Sequence, residues 1–392
     1  MTSQLYPGTK TTLEFPGLIR TGHSPALAQN ISLQPPAQFL PVGGAPPRPL
    51  VGDRLLLVSG NFHLTLYSAS GAVVFDFQPS PDRISMQDGD LTQATVGYVS
   101  GMFQDSDGSV YFTDEPDRTA TDGDTLIRRL TLDSATTGTI TTLPALPPVA
   151  PGSNSYQALT ECGIVKLGDS IYTADSWNGL IWKTPALGGR RTAWSLGSVL
   201  AGPCGLSLGP ITGHLYTADY DLGEVFELDP SGTVTLCSAD PGLYNALALT
   251  TDGSYLYVAT SNEAGAGGLA RVAETGVTDY LEPEDGSSPV ATFDNQTLYW
   301  YAPDGKLYYT ASRSGSPWVD VLKLDGALDH SILLALPVAS SDYFPRNILV
   351  LPSSSLGHAL PLPPPVPPPP PPAPVLSAVY IPVVAISTSQ PG

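Results

Sequence analysis

The sequence predicts an all-β fold: a six-bladed β-propeller of four-stranded blades, followed by a proline-rich C-terminal tail. Three observations predict it. First, an aromatic–small–acid unit recurs. "VYFTDEPD" places Tyr111 and Asp114, "IYTADSWNGLIWKT" places Tyr172 and Asp175, and "LYTADYDLGEVFEL" places Tyr216 and Asp219, while "LYVATSN" and "LYWYAPDG" follow at Tyr257 and Tyr299. Second, these tyrosines stand 61, 44, 41 and 42 residues apart, and a period near 40–45 with several short strands per copy marks propeller blades. Third, alternation of period two dominates, and no long run of helical period competes with it.

Each copy has the same inner order. A small-residue start such as "CGIVKL", "CGLSLG" or "NALALT" reads as a first strand, and a turn such as "LGD", "ITG" or "TDG" leads into the tyrosine strand. A polar loop, a third strand such as "GLIWKT" or "EVFELD", a turn such as "PSG" and a last strand such as "TVTLCS" complete the set. Copies read this way cover about 38–78, 97–143, 157–197, 200–238, 243–282 and 287–336. The long interval in the second copy comes from "EPDRTATDGDT", a charged insert between its second and third strands. The run "FPRNILVLP" at 344–352 is the candidate closing strand, which would pair with the N-terminal blade and remove an open sheet edge. The expected organisation is an N-terminal segment over 1–37 available for ring closure, a propeller over 38–353, and a tail over 354–392.

The 392 residues include 42% hydrophobic and only 14% charged side chains, enough apolar content to bury a core. Lys+Arg 17 against Asp+Glu 36 gives a net charge of −19, which repels phosphate backbones and makes nucleic acid an unfavourable partner. The three cysteines, Cys162, Cys204 and Cys237, have no CxxC or metal-ligand spacing, so at most one disulfide is expected. The first residues lack the basic and apolar regions of a signal peptide. Asn30 in "NIS" and Asn295 in "NQT" form glycosylation sequons. The run "PLPPPVPPPPPPAP" reads as a polyproline II spacer or as a ligand for an aromatic groove on a protein partner. The apolar stretch after it is too short and proline-interrupted for a membrane span.

In a propeller the first strand of every blade lines the central channel, so the starts of those strands converge. Aligning the copies brings Gly101 or Met102, Glu161 with Cys162, Pro203 with Cys204, Asn245, Pro289 with Val290, and Asn347 to one mouth. A carboxylate at such an apolar mouth is costly without a partner, so Glu161 is the candidate catalytic group, or else an ion-pair partner of Arg346 or a cap on backbone amides. Asn245, Cys204 and Asn347 are the candidate substrate-binding residues. Glu161 and Asn245 are also the candidate ligands of a divalent cation, calcium or zinc. The recurring acids Asp114, Asp175 and Asp219 read as backbone caps that turn the corner between second and third strands. The tyrosines read as packing between blades.

The stretches "GSVYFTDEPD", "SIYTADSWNGLIWK" and "NALALTTDGSYLYVATSN" resemble the SMP-30/gluconolactonase family and the strictosidine-synthase-like propellers, over roughly 50–350. The resemblance implies a channel-mouth site in which a glutamate, asparagines and an aspartate surround one divalent ion. Asn245 matches the motif asparagine. Glu161 lies at an equivalent strand start, although the family glutamate comes from the first blade. The family's P-D-G aspartate is missing, since "SSPVATFD" offers Ser288, Pro289 and Val290 there. Fewer anionic ligands mean weaker ion binding. Three functions follow: first, on the glutamate–asparagine pair, the lactone or ester hydrolase acting on a small-molecule substrate that the resemblance implies; as alternatives, a metal-free ring-forming enzyme that holds an apolar substrate in a reactive pose, and a non-catalytic binding propeller.

Overall fold

The computed structural model describes residues 54–60, 62–82, 85–116, 125–146, 161–195, 199–243, 246, 248–261, 267–281, 298–313, 316–324, 326–336 and 345–353. Six antiparallel sheets follow one another along these residues. Blade one holds Arg54–Gly60, His63–Ser68 and Val73–Asp76. Its innermost strand is supplied by Asn347–Pro352, which pairs with Arg54–Gly60. Blade two holds Tyr98–Gln104, Val110–Glu115, Leu126–Leu132 and Gly138–Thr142, with the two-residue strand Gly89–Asp90 added at its outer edge. Blade three runs through Glu161–Leu167, Ser170–Asp175, Leu180–Pro185 and Thr192–Ala193. Blade four runs through Pro203–Leu208, Leu215–Asp219, Glu224–Leu228 and Val234–Ser238. Blade five contains Ala248–Thr251, Leu256–Ser261, Gly267–Val272 and Thr278–Tyr280. Blade six contains Leu298–Tyr301, Lys306–Arg313, Ser316–Leu322 and Leu328–Leu333.

The innermost strands touch their neighbours all the way round, blade two to three to four to five to six, then to the closing strand and back to blade two. This is the six-bladed propeller of four-stranded blades that the repeat predicts. The expected closing strand does its part: residues 347–352 begin the first sheet from the far end of the chain. The expected N-terminal segment 1–37, the tail 354–392, both sequons, Asn245, and Pro289 with Val290 lie outside the described residues.

The core is divided among the blade interfaces. Six apolar clusters each join two consecutive blades: one to two, two to three, and so on round to six and one. Tyr111, Tyr172, Tyr216 and Tyr257 are buried in the clusters against the following blade, as the packing reading of these residues expects. Burying one such ring stabilises by about 1.5–3 kcal/mol, which makes these contacts a large part of what holds each blade to the next.

Tyr299 departs from the expected pattern. It lies on the innermost strand of blade six, and the second-strand tyrosine of that blade is Tyr308, which packs against blade one. The sequence "LYWYAPDGKLYY" contains the leucine–tyrosine pair twice, and its "APDG" is the turn from first to second strand, which is why the earlier pair misled. Ring closure is reinforced here. Arg54 of blade one forms an ion pair with Asp304 of blade six and stacks 5.3 Å from the centre of the Tyr308 ring, and the Tyr308 hydroxyl donates to the same carboxylate.

Candidate functional site at the central channel

The innermost strands share one register against their second strands. Phe103, Val165, Ser207, Thr250 and Tyr299 all stand opposite second-strand tyrosines. One step towards the end where these strands begin come Met102, Ile164, Leu206, Leu249 and Leu298, with Leu349 at the matching place in the closing strand. One step further lie Gly101, Gly163, Gly205 and Ala248. In blades three and four glycine is required at this level because neighbouring strands converge. A Cβ on Gly205 would stand 2.6 Å from the backbone nitrogen of Leu249, and one on Gly163 would run into the carbonyl oxygen of Cys204. Beyond the glycines, blades two, three and four each carry an irregularity in register, between Val99 and Gly101, Glu161 and Gly163, and Pro203 and Gly205. The bulged residues are Ser100, Cys162 and Cys204.

These layers enclose a cavity of about 250 Å³ on the axis, lined by all six innermost strands. Its belt is the aliphatic ring Met102, Ile164, Leu206, Leu249, Leu298 and Leu349, with Phe103 and Tyr299 in the adjoining layer. Polar side-chain groups are few: Ser207, Thr250, Thr251, the amide of Asn347 and the hydroxyl of Tyr299. The Thr250 hydroxyl accepts the Trp300 N–H at 3.2 Å, tying blade five to blade six. Burial, and secondarily the neighbouring Tyr301, push the Tyr299 phenol up to about 12, so it is a neutral hydrogen-bonding group at pH 7. Among the described lining residues there is no carboxylate, histidine, lysine or arginine.

Of the residues expected at the mouth, Asn347 and Cys204 are placed in full. The buried Asn347 side-chain amide donates to Ser59 Oγ and to the Val99 carbonyl, both at 3.1 Å, so it clips the closing strand to blades one and two while lining the cavity. Cys204 is disulfide-bonded to Cys162 of the adjacent blade, their Cα atoms 5.1 Å apart. This bond joins two innermost strands at matching bulges. Glu161 is described by its backbone alone: it opens the innermost strand of blade three, opposite Asp175. Among the described residues no three of His, Cys, Asp and Glu converge on a point that could hold a metal ion.

The recurring acids divide into two uses. Asp219 accepts the N–H groups of Asp221 and Leu222 in its own turn, and also those of Ala201 and Gly202, which lead into the innermost strand of the same blade. Asp175 takes the Asn178 N–H in its turn, together with the Asn178 side-chain amide and the Trp182 indole. Both cap the corner as expected. Asp114, which the insert of blade two follows, has among the described residues the Gly97 N–H at 2.8 Å and the buried Arg128 guanidinium at 2.6 Å as partners of its carboxylate. Arg128 also donates to the carbonyls of Thr95 and Gln87 and to Asp88. Sequence reasoning passed over this arginine; the signal was the pair of cations inside the largely apolar strand "LIRRLTL".

No protein-family model matches the chain, and no curated protein matches it. Solved structures do. The chain is similar to one from the crystal structure of a nidogen/laminin complex, at 19% identity and a TM-score of 0.53, with 76% of this chain and 99% of that one covered. It is similar to TolB from Acinetobacter baumannii, at 13% identity and a TM-score of 0.50, with 77% and 67% covered. Virginiamycin B lyase from Staphylococcus aureus is a further similar structure, at 15% identity and a TM-score of 0.44, with 65% and 75% covered. At these identities the likenesses speak for the fold alone.

Proposed function

We propose that the protein holds a small, uncharged and largely apolar molecule in its central channel, as a binding propeller or as a ring-forming enzyme that works by positioning. One observation carries this reading: the aliphatic belt of six residues around a cavity of about 250 Å³. A volume of that size lies just below the usual range of about 300–1,000 Å³ for small-molecule sites and so suits a small ligand, and apolar walls with a few polar groups are their usual make-up. In such a wall Tyr299 supplies a hydrogen bond without charge. A reaction run there would gain its rate from restricted geometry and excluded water.

A screen of uncharged apolar compounds against the full chain by thermal shift tests the proposal. A ligand present at about one hundred times its Kd stabilises by about 2.7 kcal/mol. Leu206→Phe fills the belt at a cost of about 1–3 kcal/mol, and it should remain folded while losing the response. A response of equal size in that variant would place the ligand elsewhere.

Lactone or ester hydrolysis of the gluconolactonase kind is the second reading, and the register favours it. Glu161 opens an innermost strand opposite Asp175, as Pro203 does opposite Asp219 in the next blade, and this shared register supports reading Glu161 as a mouth residue. In this reading Glu161 activates water, with Asn245 and one calcium or zinc ion as its partners. Turnover of lactones or aryl esters, lost at least about a hundredfold in Glu161→Gln, would support it. Equal rates in the two proteins would remove it.

A further inference from the structure

A second surface stands at the same end of the propeller, outside the channel. The turn between second and third strands of blade three carries Trp177, 64% exposed. The segment leading into the innermost strand of blade four carries Val199 at 50%, and the second-to-third turn of blade four carries Tyr220 at 40% and Leu222 at 44%. These three pieces of chain abut. A Cβ on Gly179 would lie 2.6 Å from the Leu200 carbonyl oxygen, Tyr220 N–H donates to the Gly202 carbonyl at 2.8 Å, and Ala201 N–H donates to Asp219 at 2.9 Å. Four large apolar side chains therefore share one continuous rim, and such grouping on a surface marks contact with a partner more often than scattered exposure does.

The charge of this rim selects the partner. Asp221 and Glu224 lie within it, above the buried Asp219, and residues 175–180, 199–205 and 219–224 contain no lysine, arginine or histidine. Burial, and then the field of Asp219, raise the carboxyl pKa values of both Asp221 and Glu224. Exposed tryptophan and tyrosine faces beside carboxylates suit a guanidinium or ammonium group on a chain that also carries apolar side chains. A second copy is a poor occupant, because each chain has a net charge of −19. The tail is no better: residues 354–392 contain neither lysine nor arginine.

We infer that the rim formed by Trp177, Val199, Tyr220 and Leu222, with Asp221 and Glu224, docks a basic polypeptide segment that bears apolar side chains. This surface is independent of the channel ligand.

The test uses the full chain and a fluorescein-labelled ten-residue peptide alternating arginine and leucine, followed by anisotropy at two salt concentrations. Saturable binding is expected. Trp177→Ser and Tyr220→Ser, both at exposed positions, should each weaken it at least about tenfold. Asp221→Asn with Glu224→Gln should weaken it and flatten its salt dependence. Asp133→Asn with Asp169→Asn removes the same charge from exposed turns at the opposite end, and should leave affinity within about twofold. Equal weakening by both charge pairs would show attraction to net charge only and overturn the inference. So would wild-type affinity in the two aromatic variants. Self-association in ultracentrifugation that Trp177→Ser abolishes would assign the rim to a second copy instead. Loss of peptide binding with the channel thermal shift intact would separate this surface from the proposed site.

Discussion

At the level of single residues, Asp219 shows how one side chain can hold a blade together. Its buried carboxylate satisfies four backbone N–H groups from two segments, those of Ala201, Gly202, Asp221 and Leu222. Each buried donor left without a partner costs about 1–3 kcal/mol. Asp219→Ala should therefore destabilise the protein by at least about 3 kcal/mol in urea unfolding, whereas Asp133→Ala in an exposed turn should fall within about 0.5 kcal/mol of wild type. Equal midpoints for the two variants would refute this role. The recurrence of the aspartate was legible in the sequence, because each second-to-third turn needs an acceptor. Its partners at 201 and 202 were not, since they precede it in the chain and meet it only after the sheet forms. Arg128 was hidden for the same reason: its value lies in three carbonyl and carboxylate groups from residues 87–95 and in Asp114, which no local pattern connects.

At the level of elements, the innermost strands carry most of what is special. Their shared register puts glycine or alanine at the tightest level, and the small-residue starts "CGIVKL", "CGLSLG" and "NALALT" announced it. The bulges were not announced, because an extra residue leaves the alternation of the strand intact on either side. Those bulges place Cys162 and Cys204 side by side. The sequence placed the two thiols at matching positions in adjacent blades but left their pairing open, as spacing around a ring fixes neighbours and not bonds. The bond spans 42 residues of chain, and closing a loop of that length stabilises by about 2–4 kcal/mol. Cys162→Ser with Cys204→Ser should lose that amount in non-reducing urea titrations. Dithiothreitol should bring the wild type to the same midpoint. A double variant as stable as the oxidised protein would show that the strands are held by packing alone.

At the level of the whole molecule, the ring has no free inner edge because its two ends are spliced into one sheet. Asn347–Pro352 pairs along its length with Arg54–Gly60, and Asn347 reaches on to blade two. The period of the repeat made the number of blades readable, and a leftover apolar strand after the sixth copy made closure readable. The order within blade six was less so, because its doubled leucine–tyrosine pair fits two registers. Closure also explains why stability should depend sharply on where the chain is cut. Removing residues after 360 leaves the closing strand in place, so thermal melting should remain a single transition within a few degrees of the full chain. Removing residues after 346 deletes that strand, exposes the edge of Arg54–Gly60, and strips Leu349, Val350 and Leu351 from the clusters that join blade one to blades six and two. Losing the burial of Ile348, Leu349, Val350 and Leu351, at about 1.5–3 kcal/mol for each side chain, is comparable to the usual margin of about 5–15 kcal/mol for a domain. The shorter chain should thus be unfolded or aggregated by circular dichroism and light scattering, and adding a synthetic peptide of residues 345–353 should recover part of the folded signal. A cooperative melt in the chain ending at 346 would mean that the interfaces of the other blades suffice without closure.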